Sequence, residues 1–173
     1  MSDCGICDIA ESDKLKLFED ENLIIALAPR PAAPGHLMVF PKKHVTILEQ
    51  VPDYIASWML QLANKASMAL FEGMNAEGTN ILLQNGTAAG QSKPHCTLHI
   101  IPRRQGDAIN TNWQPKQLDE EEMSTVELKL KEEAKNIGAF EEEPQKPIEL
   151  EDKAAKIRGD EENYLIKQIE RIP

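Results

Sequence analysis

Basic charge is scarce in this chain. Nineteen Lys and Arg face 29 Asp and Glu among 173 residues, a formal charge of -10 at pH 7. The excess is uneven: residues 1–106 hold 9 basic and 11 acidic side chains, residues 107–173 hold 10 and 18. Such a surface repels a phosphodiester backbone, which excludes nucleic acid as a principal partner. A small phosphorylated ligand in the near-neutral first part stays compatible with it. Long hydrophobic runs are also missing, and without about 18 consecutive apolar residues no membrane-spanning helix is expected. The start of the chain has no basic cluster followed by an apolar run. Neither a signal peptide nor a membrane partner is therefore expected, and the chain reads as cytoplasmic. Cysteine is limited to three residues, too few for a disulfide framework. Hydrophobic residues at 41% and charged residues at 28% are ordinary for a globular protein. The length suits one domain with a real core plus an appendage.

No internal repeat is visible. A short strand is expected near Leu15–Phe18, a longer one at residues 22–28 and another at 36–41, the last two joined by the proline-rich segment 29–35. Residues 52–72 read as a long helix, with Ile55, Trp58, Met59, Leu62, Ala66, Ala69 and Leu70 at helical spacing. That stripe is a burial face and carries no cofactor role. Strands follow at 79–85 and 95–101, separated by a loop with Gly86 and Gly90. Hairpin-linked strands with one long helix give an α+β fold around an antiparallel sheet. This domain is placed at 1–106, and an acidic, mostly helical extension at 107–173. In the extension Asp119 is the expected cap of a helix whose stripe is Met123, Val126, Leu130, Ala134 and Ile137, stopped by Gly138. An acidic linker at 141–147, a helical stretch at 148–157 and a last helix at 160–172 complete it. These apolar stripes are expected to pack on the sheet domain or on a partner subunit.

Three features carry chemistry. Cys4-Gly5-Ile6-Cys7 is a metal half-site or a redox pair, and its place at the extreme N-terminus, with no preceding strand, favours metal. Along a strand alternate residues share a face, so His95, Thr97 and His99 point one way and Cys96, Leu98 and Ile100 the other, towards a core. Cys96 is accordingly expected to be a small buried hydrophobe. Lys93, Arg103 and Arg104 read as solvated surface charge, with Lys93 alone within reach of a phosphate tail.

The stretch Gln84 to Arg104 resembles the histidine triad (HIT) family, whose signature joins an Asn or Gln, a glycine loop, Gly-Gln-Ser/Thr, His-x-His-x-His and Pro-Arg. Here Gly90-Gln91-Ser92, His95, His99 and Ile101-Pro102-Arg103 match, as do Pro34-Gly35-His36-Leu37 and Pro41-Lys42-Lys43-His44 upstream. The likeness covers roughly residues 4–104. It implies a HIT-like antiparallel sheet, a homodimer, and a purine nucleotide or similar phosphate ligand. It also implies a structural Zn2+ held by Cys4, Cys7, His44 and His95. In the family the central histidine attacks the α-phosphorus of a nucleotide and forms a covalent intermediate. By resemblance Gln84 and Gln91 supply hydrogen bonds to phosphate, Ser92 a hydroxyl and an N–H, His99 a contact to phosphate or leaving group, and Gly86 and Gly90 close backbone approach. Apolar residues on the early strands, of which Leu23 and Ile25 are examples, are expected to enclose the base, with no choice among them.

Two positions depart from the pattern. Thr97 occupies the site of the family nucleophile, and an unactivated threonine hydroxyl is not a nucleophile at neutral pH. Ala28 occupies the position where the family commonly binds ribose with Asp or Asn. The first expectation is a natural nucleotide binder with impaired or altered catalysis. A chain altered to trap its ligand ranks second, and a threonine nucleophile with His99 as base third. Two other classes of function are carried beside the binder: a dinucleoside polyphosphate or nucleoside phosphoramidate hydrolase working by a modified route, and a zinc-stabilised interaction protein without activity.

Overall fold

A computed structural model describes residues 4–138. The expected elements at 141–147, 148–157 and 160–172 lie outside them. The chain begins with a helix that sequence reasoning did not anticipate, α1 (Gly5–Glu11). Its signal is Ile6, Ile9 and Ala10 at spacings of three and four residues, a stripe too short to stand out. Strands β1 (Lys16–Glu19), β2 (Leu23–Leu27) and β3 (Leu37–Pro41) follow as a meander, then the long helix α2 (Asp53–Met74). Asn75 in the left-handed conformation ends α2 (φ 51°). Strands β4 (Gly78–Leu83) and β5 (Leu98–Arg103) complete one antiparallel sheet in the order β1-β2-β3-β5-β4. The strand expected at 95–101 therefore starts three residues later, and His95, Cys96 and Thr97 lead into it.

The sheet is covered on both faces, and strand alternation decides what goes where. Leu23, Ile25, Leu37, Val39, Cys96 and Ile100 pack against Ile55, Met59, Leu62, Ala66 and Leu70 of α2 in one core. Ile24, Ala26, Ala28, Met38 and Phe40 pack against Cys4, Ile6 and Ile9 in a second, smaller one. Each large side chain buried this way stabilises the fold by roughly 1.5–3 kcal/mol. Among the described residues no buried side-chain nitrogen or oxygen lacks a hydrogen-bond partner. None of their helices is long and apolar enough to cross a membrane.

Helix α3 (Glu120–Glu133) starts on the expected cap, with the Asp119 carboxylate accepting from the Glu122 N–H at 2.7 Å. It ends in a one-turn helix at Ala134–Asn136. Its stripe is not covered by the sheet domain: Met123, Val126, Leu130 and Ile137 are all exposed.

Candidate functional site

The loop before β5 is shaped by its glycines and by Gln91. Gly90 has φ 89°, a conformation that favours glycine, and a Cβ there would sit 2.6 Å from Gln84 Nε2 and push the end of that side chain aside. The Gln91 carboxamide closes the loop on itself. Its Oε1 accepts from the Gly86 N–H at 2.7 Å, and its Nε2 donates to the Thr46 and Lys93 carbonyls at 2.7 and 2.9 Å. The amide expected on phosphate is thus committed to holding the loop. Beside this loop lies a cavity of about 280 Å³ that Gln84, Gln91, Ser92, His95, Thr97 and His99 all line.

Its opposite wall is apolar: Ile6 and Ile9 from α1, Ala28 from the end of β2, and Met38 from β3. Leu23 and Ile25, expected to enclose a base, lie on the other face of the sheet in the α2 core. Their neighbours one position on, Ile24 and Ala26, belong to the cavity-side layer, so the expectation missed by one residue of register.

Thr97 is buried, and its hydroxyl donates to the His95 carbonyl at 3.1 Å. His99 pairs instead with His36, a residue that sequence reasoning quoted only as part of a motif. The Ala32 N–H donates to His36 Nδ1 at 3.0 Å, and His36 Nε2 lies 3.0 Å from His99 Nδ1. A backbone amide can only donate, so His36 Nδ1 is the acceptor and neutral His36 carries its proton on Nε2. That proton goes to His99 Nδ1, which leaves the His99 proton on Nε2. Burial, with His99 nearby, lowers the His36 pKa to about 4, and burial lowers that of His99 as well. Both rings are therefore neutral at pH 7, and the His99 ring in the cavity is a hydrogen-bond donor there. No hydrogen bond joins His99 to Thr97, so the base needed by a threonine nucleophile is engaged elsewhere.

Below Thr97 four side chains converge. Cys4 Sγ and Cys7 Sγ each lie 3.6 Å from His95 Nδ1, and Cys7 Sγ lies 3.3 Å from His44 Nδ1. All four donor atoms fall within 4.8 Å of one another. Zinc bonds of about 2.0–2.3 Å set tetrahedral edges of roughly 3.3–3.8 Å, and these three separations of 3.6, 3.6 and 3.3 Å fall in that range. His95 Nε2 lies 2.9 Å from the Pro41 carbonyl. Its N–H donates there and turns Nδ1 towards the thiols, a second-shell arrangement usual for metal-binding histidine. The donor set and spacing fit a tetrahedral metal ion.

Cys96 is buried as expected, and burial pushes its thiol up to about 11. Lys93 lines the cavity, and so does Arg30, which sequence reasoning passed over as part of a turn. Arg103 is not simple surface charge. It is half-buried and grips Asp107 through Nε and Nη2 at 2.6 and 2.9 Å, which holds the Asp107 carboxyl well below the usual range. Arg104 Nη2 donates to the Met74 carbonyl at 2.5 Å.

A histidine-bearing interior strand beside a glycine loop, on a sheet backed by one long helix, defines the histidine triad class of α+β proteins. The chain belongs to the HIT family, whose domain matches residues 10–106. It is 36% identical over 110 residues to an adenylylsulfatase of Arabidopsis thaliana, a match covering 62% of this chain and 56% of that protein. The crystal structure of a histidine triad nucleotide-binding protein from Candida albicans superposes with a TM-score of 0.67 at 30% identity, covering 75% of this chain and 96% of that one. A Zn-bound histidine triad family protein from Mycobacterium smegmatis gives a TM-score of 0.59 at 32% identity, over 76% and 97% of the two chains.

Proposed function

We propose that this protein binds a purine nucleotide in the cavity and holds it without hydrolysing it. The 5′-phosphate sits among Gln84, Ser92 and His99, and the base lies against Ile6, Ile9 and Met38. The observation that carries this reading is Thr97. It stands on the cavity face between His95 and His99 and gives its proton to the His95 carbonyl. Nothing activates that oxygen for attack, while the surrounding donors remain able to stabilise phosphate charge. Kinship with a nucleotide-binding protein and an adenylylsulfatase supports the ligand class.

Cys4, Cys7, His44 and His95 hold Zn2+ in this reading. Four protein ligands leave no open position, so the ion is structural and ties α1 to the segment, with Thr97 in it, that leads into β5. The chain works as a homodimer. Support comes from the open edge of β4 and from Leu60, Met68 and Phe71 on α2 with Ile81 and Leu82 on β4, all exposed apolar residues. The extension after residue 106 supplies α3, whose exposed stripe suits a partner surface.

The test is turnover by this chain and by Thr97→His, side by side, on adenosine phosphoramidate, diadenosine tetraphosphate and adenylyl sulfate. Release of AMP is followed by chromatography, and AMP binding by calorimetry. The expected result is AMP binding by both and turnover by the histidine variant alone. Turnover by the unaltered chain at a comparable rate would refute the reading.

A further inference from the structure

We propose that the nucleotide carries a second phosphate on its ribose, at the 2′ or 3′ position, and that Arg30 holds it. This rests on the nucleotide reading above and assigns Arg30 a purpose which that reading leaves open.

The charge lining the cavity is one-sided. Among the described residues no carboxylate lines the cavity, while two cations, Arg30 and Lys93, do. A pocket so lined in an acidic protein selects anions. The two cations stand at different ends of the site. Lys93 follows Ser92 in the glycine loop, beside the donors for a 5′-phosphate. Arg30 lies two residues beyond Ala28, whose N–H pairs with the His36 carbonyl at 2.9 Å past the end of β2. On β3 the level of His99 is Met38, and His36 is two residues further towards this end. Arg30 therefore lies past His99 along the sheet, next to the apolar wall that takes the nucleoside, and on the opposite side from Lys93.

The chemistry at that end suits a phosphate better than free hydroxyls. Ribose hydroxyls are commonly held by a carboxylate, whereas an added ribose phosphate is held by arginine. Here the wall residue is Ala28, which offers no acceptor, and its neighbour Arg30 offers only donors. Arg30 is exposed, and no carboxylate among the described residues pairs with it. Pro29 fixes the φ angle just before it, and Pro31 confines its own backbone to the extended region. The backbone that carries Arg30 is thus stiff, which lowers the backbone entropy lost when the side chain grips a ligand.

The test is calorimetric titration of the full chain, Arg30→Ala and Lys93→Ala, at one fixed salt concentration. The ligands are AMP, ADP, adenosine 2′,5′-bisphosphate and adenosine 3′,5′-bisphosphate. One bisphosphate is expected to bind the unaltered chain about tenfold or more tighter than AMP, the scale of a charge-assisted contact. Arg30→Ala should abolish that gain, leaving the bisphosphates no tighter than AMP, and should not unfold the protein, because Arg30 is exposed. Lys93→Ala should weaken all four ligands alike. Equal binding of AMP and both bisphosphates overturns the inference while the nucleotide reading stands. An equal gain for ADP that Arg30→Ala removes would show Arg30 reading the phosphate tail, and that too overturns it. Failure of AMP and every other ligand to bind overturns both readings together.

Discussion

His36 should act as a proton-linked element of stability, and the size of its effect can be worked from the structure. The folded protein holds it neutral, accepting from Ala32 and donating to His99, with a pKa lowered to about 4. In the unfolded chain an exposed histidine titrates near 6.5. Between those values the unfolded state binds more protons than the folded one, so stability falls as the pH falls. The contribution is fully present above about pH 6.5 and lost progressively as pH drops towards 4. Linkage over that window gives about 2 kcal/mol lost between pH 7.5 and pH 5 from this one residue. His36→Gln is the informative substitution. A glutamine amide can still donate to His99 Nδ1, but it does not titrate. The variant should lose roughly one proton's worth of pH dependence, flattening the plot of unfolding free energy against pH between 5 and 6.5. Urea denaturation at pH 5, 6 and 7.5, with zinc in excess, measures this. Protonation of the Cys4, Cys7, His44 and His95 cluster weakens both proteins alike and cancels in the difference. An identical pH slope in His36→Gln and the unaltered chain would show that His36 is not held neutral, and the assignment of the His99 proton to Nε2 would fall with it.

Other expectations follow from single contacts. Cys4→Ser removes the buried Cys4 sulfur from the four-donor cluster that it forms with Cys7, His44 and His95. It should cost roughly 3 kcal/mol or more, lowering Tm by about 10 °C, and calorimetry should find the variant no longer sensitive to a chelator. Gly90→Ala forces a side chain onto a backbone at φ 89° and into Gln84. About 1–3 kcal/mol of strain is expected, with AMP binding weakened about tenfold as Gln84 is displaced; unchanged affinity by calorimetry would exclude Gln84 from the phosphate site. Asp20→Ala loses bonds from the Trp58 indole and from the Asn22 and Leu23 N–H groups at 2.7, 2.8 and 2.7 Å. Urea unfolding should show a loss of about 1–3 kcal/mol, because these bonds tie α2 to the β1–β2 turn.

How far the sequence could be read depended on how far each signal reached. The stripe of α2 was legible because it repeats several times, although Trp58 and Ala69 on it are exposed, and β2 and β3 were legible as short continuous apolar runs. Helix α1 has barely two turns, and its two buried isoleucines become meaningful only once Ile24, Ala26 and Met38 supply a surface to cover. His95, Thr97 and His99 were placed on one face correctly, since that needs only a period of two. The placement of the base against Leu23 or Ile25 failed for the same reason in reverse: one step of register moves a side chain through the sheet, and no local feature of β2 says which face meets α2. His36 and Arg30 were missed because their partners are remote. His36 acquires its meaning from His99, 63 positions away, and Arg30 from a cavity whose other walls come from three separate segments. The reading of Gln91 shows a further limit. A motif says which residue is present, but not whether its side chain faces a ligand or, as its three hydrogen bonds show, closes its own loop. Set side by side, these residues separate two requirements that one motif bundles together. In the proposed reading the loop and the neutral His36–His99 pair hold an anion in place, and the four-donor cluster braces the segment that leads into β5. Attack on that anion depends on position 97 alone, and there the side chain gives its only proton to a backbone carbonyl. Losing the nucleophile therefore leaves every element of the cradle standing, which is why the geometry supports a binder.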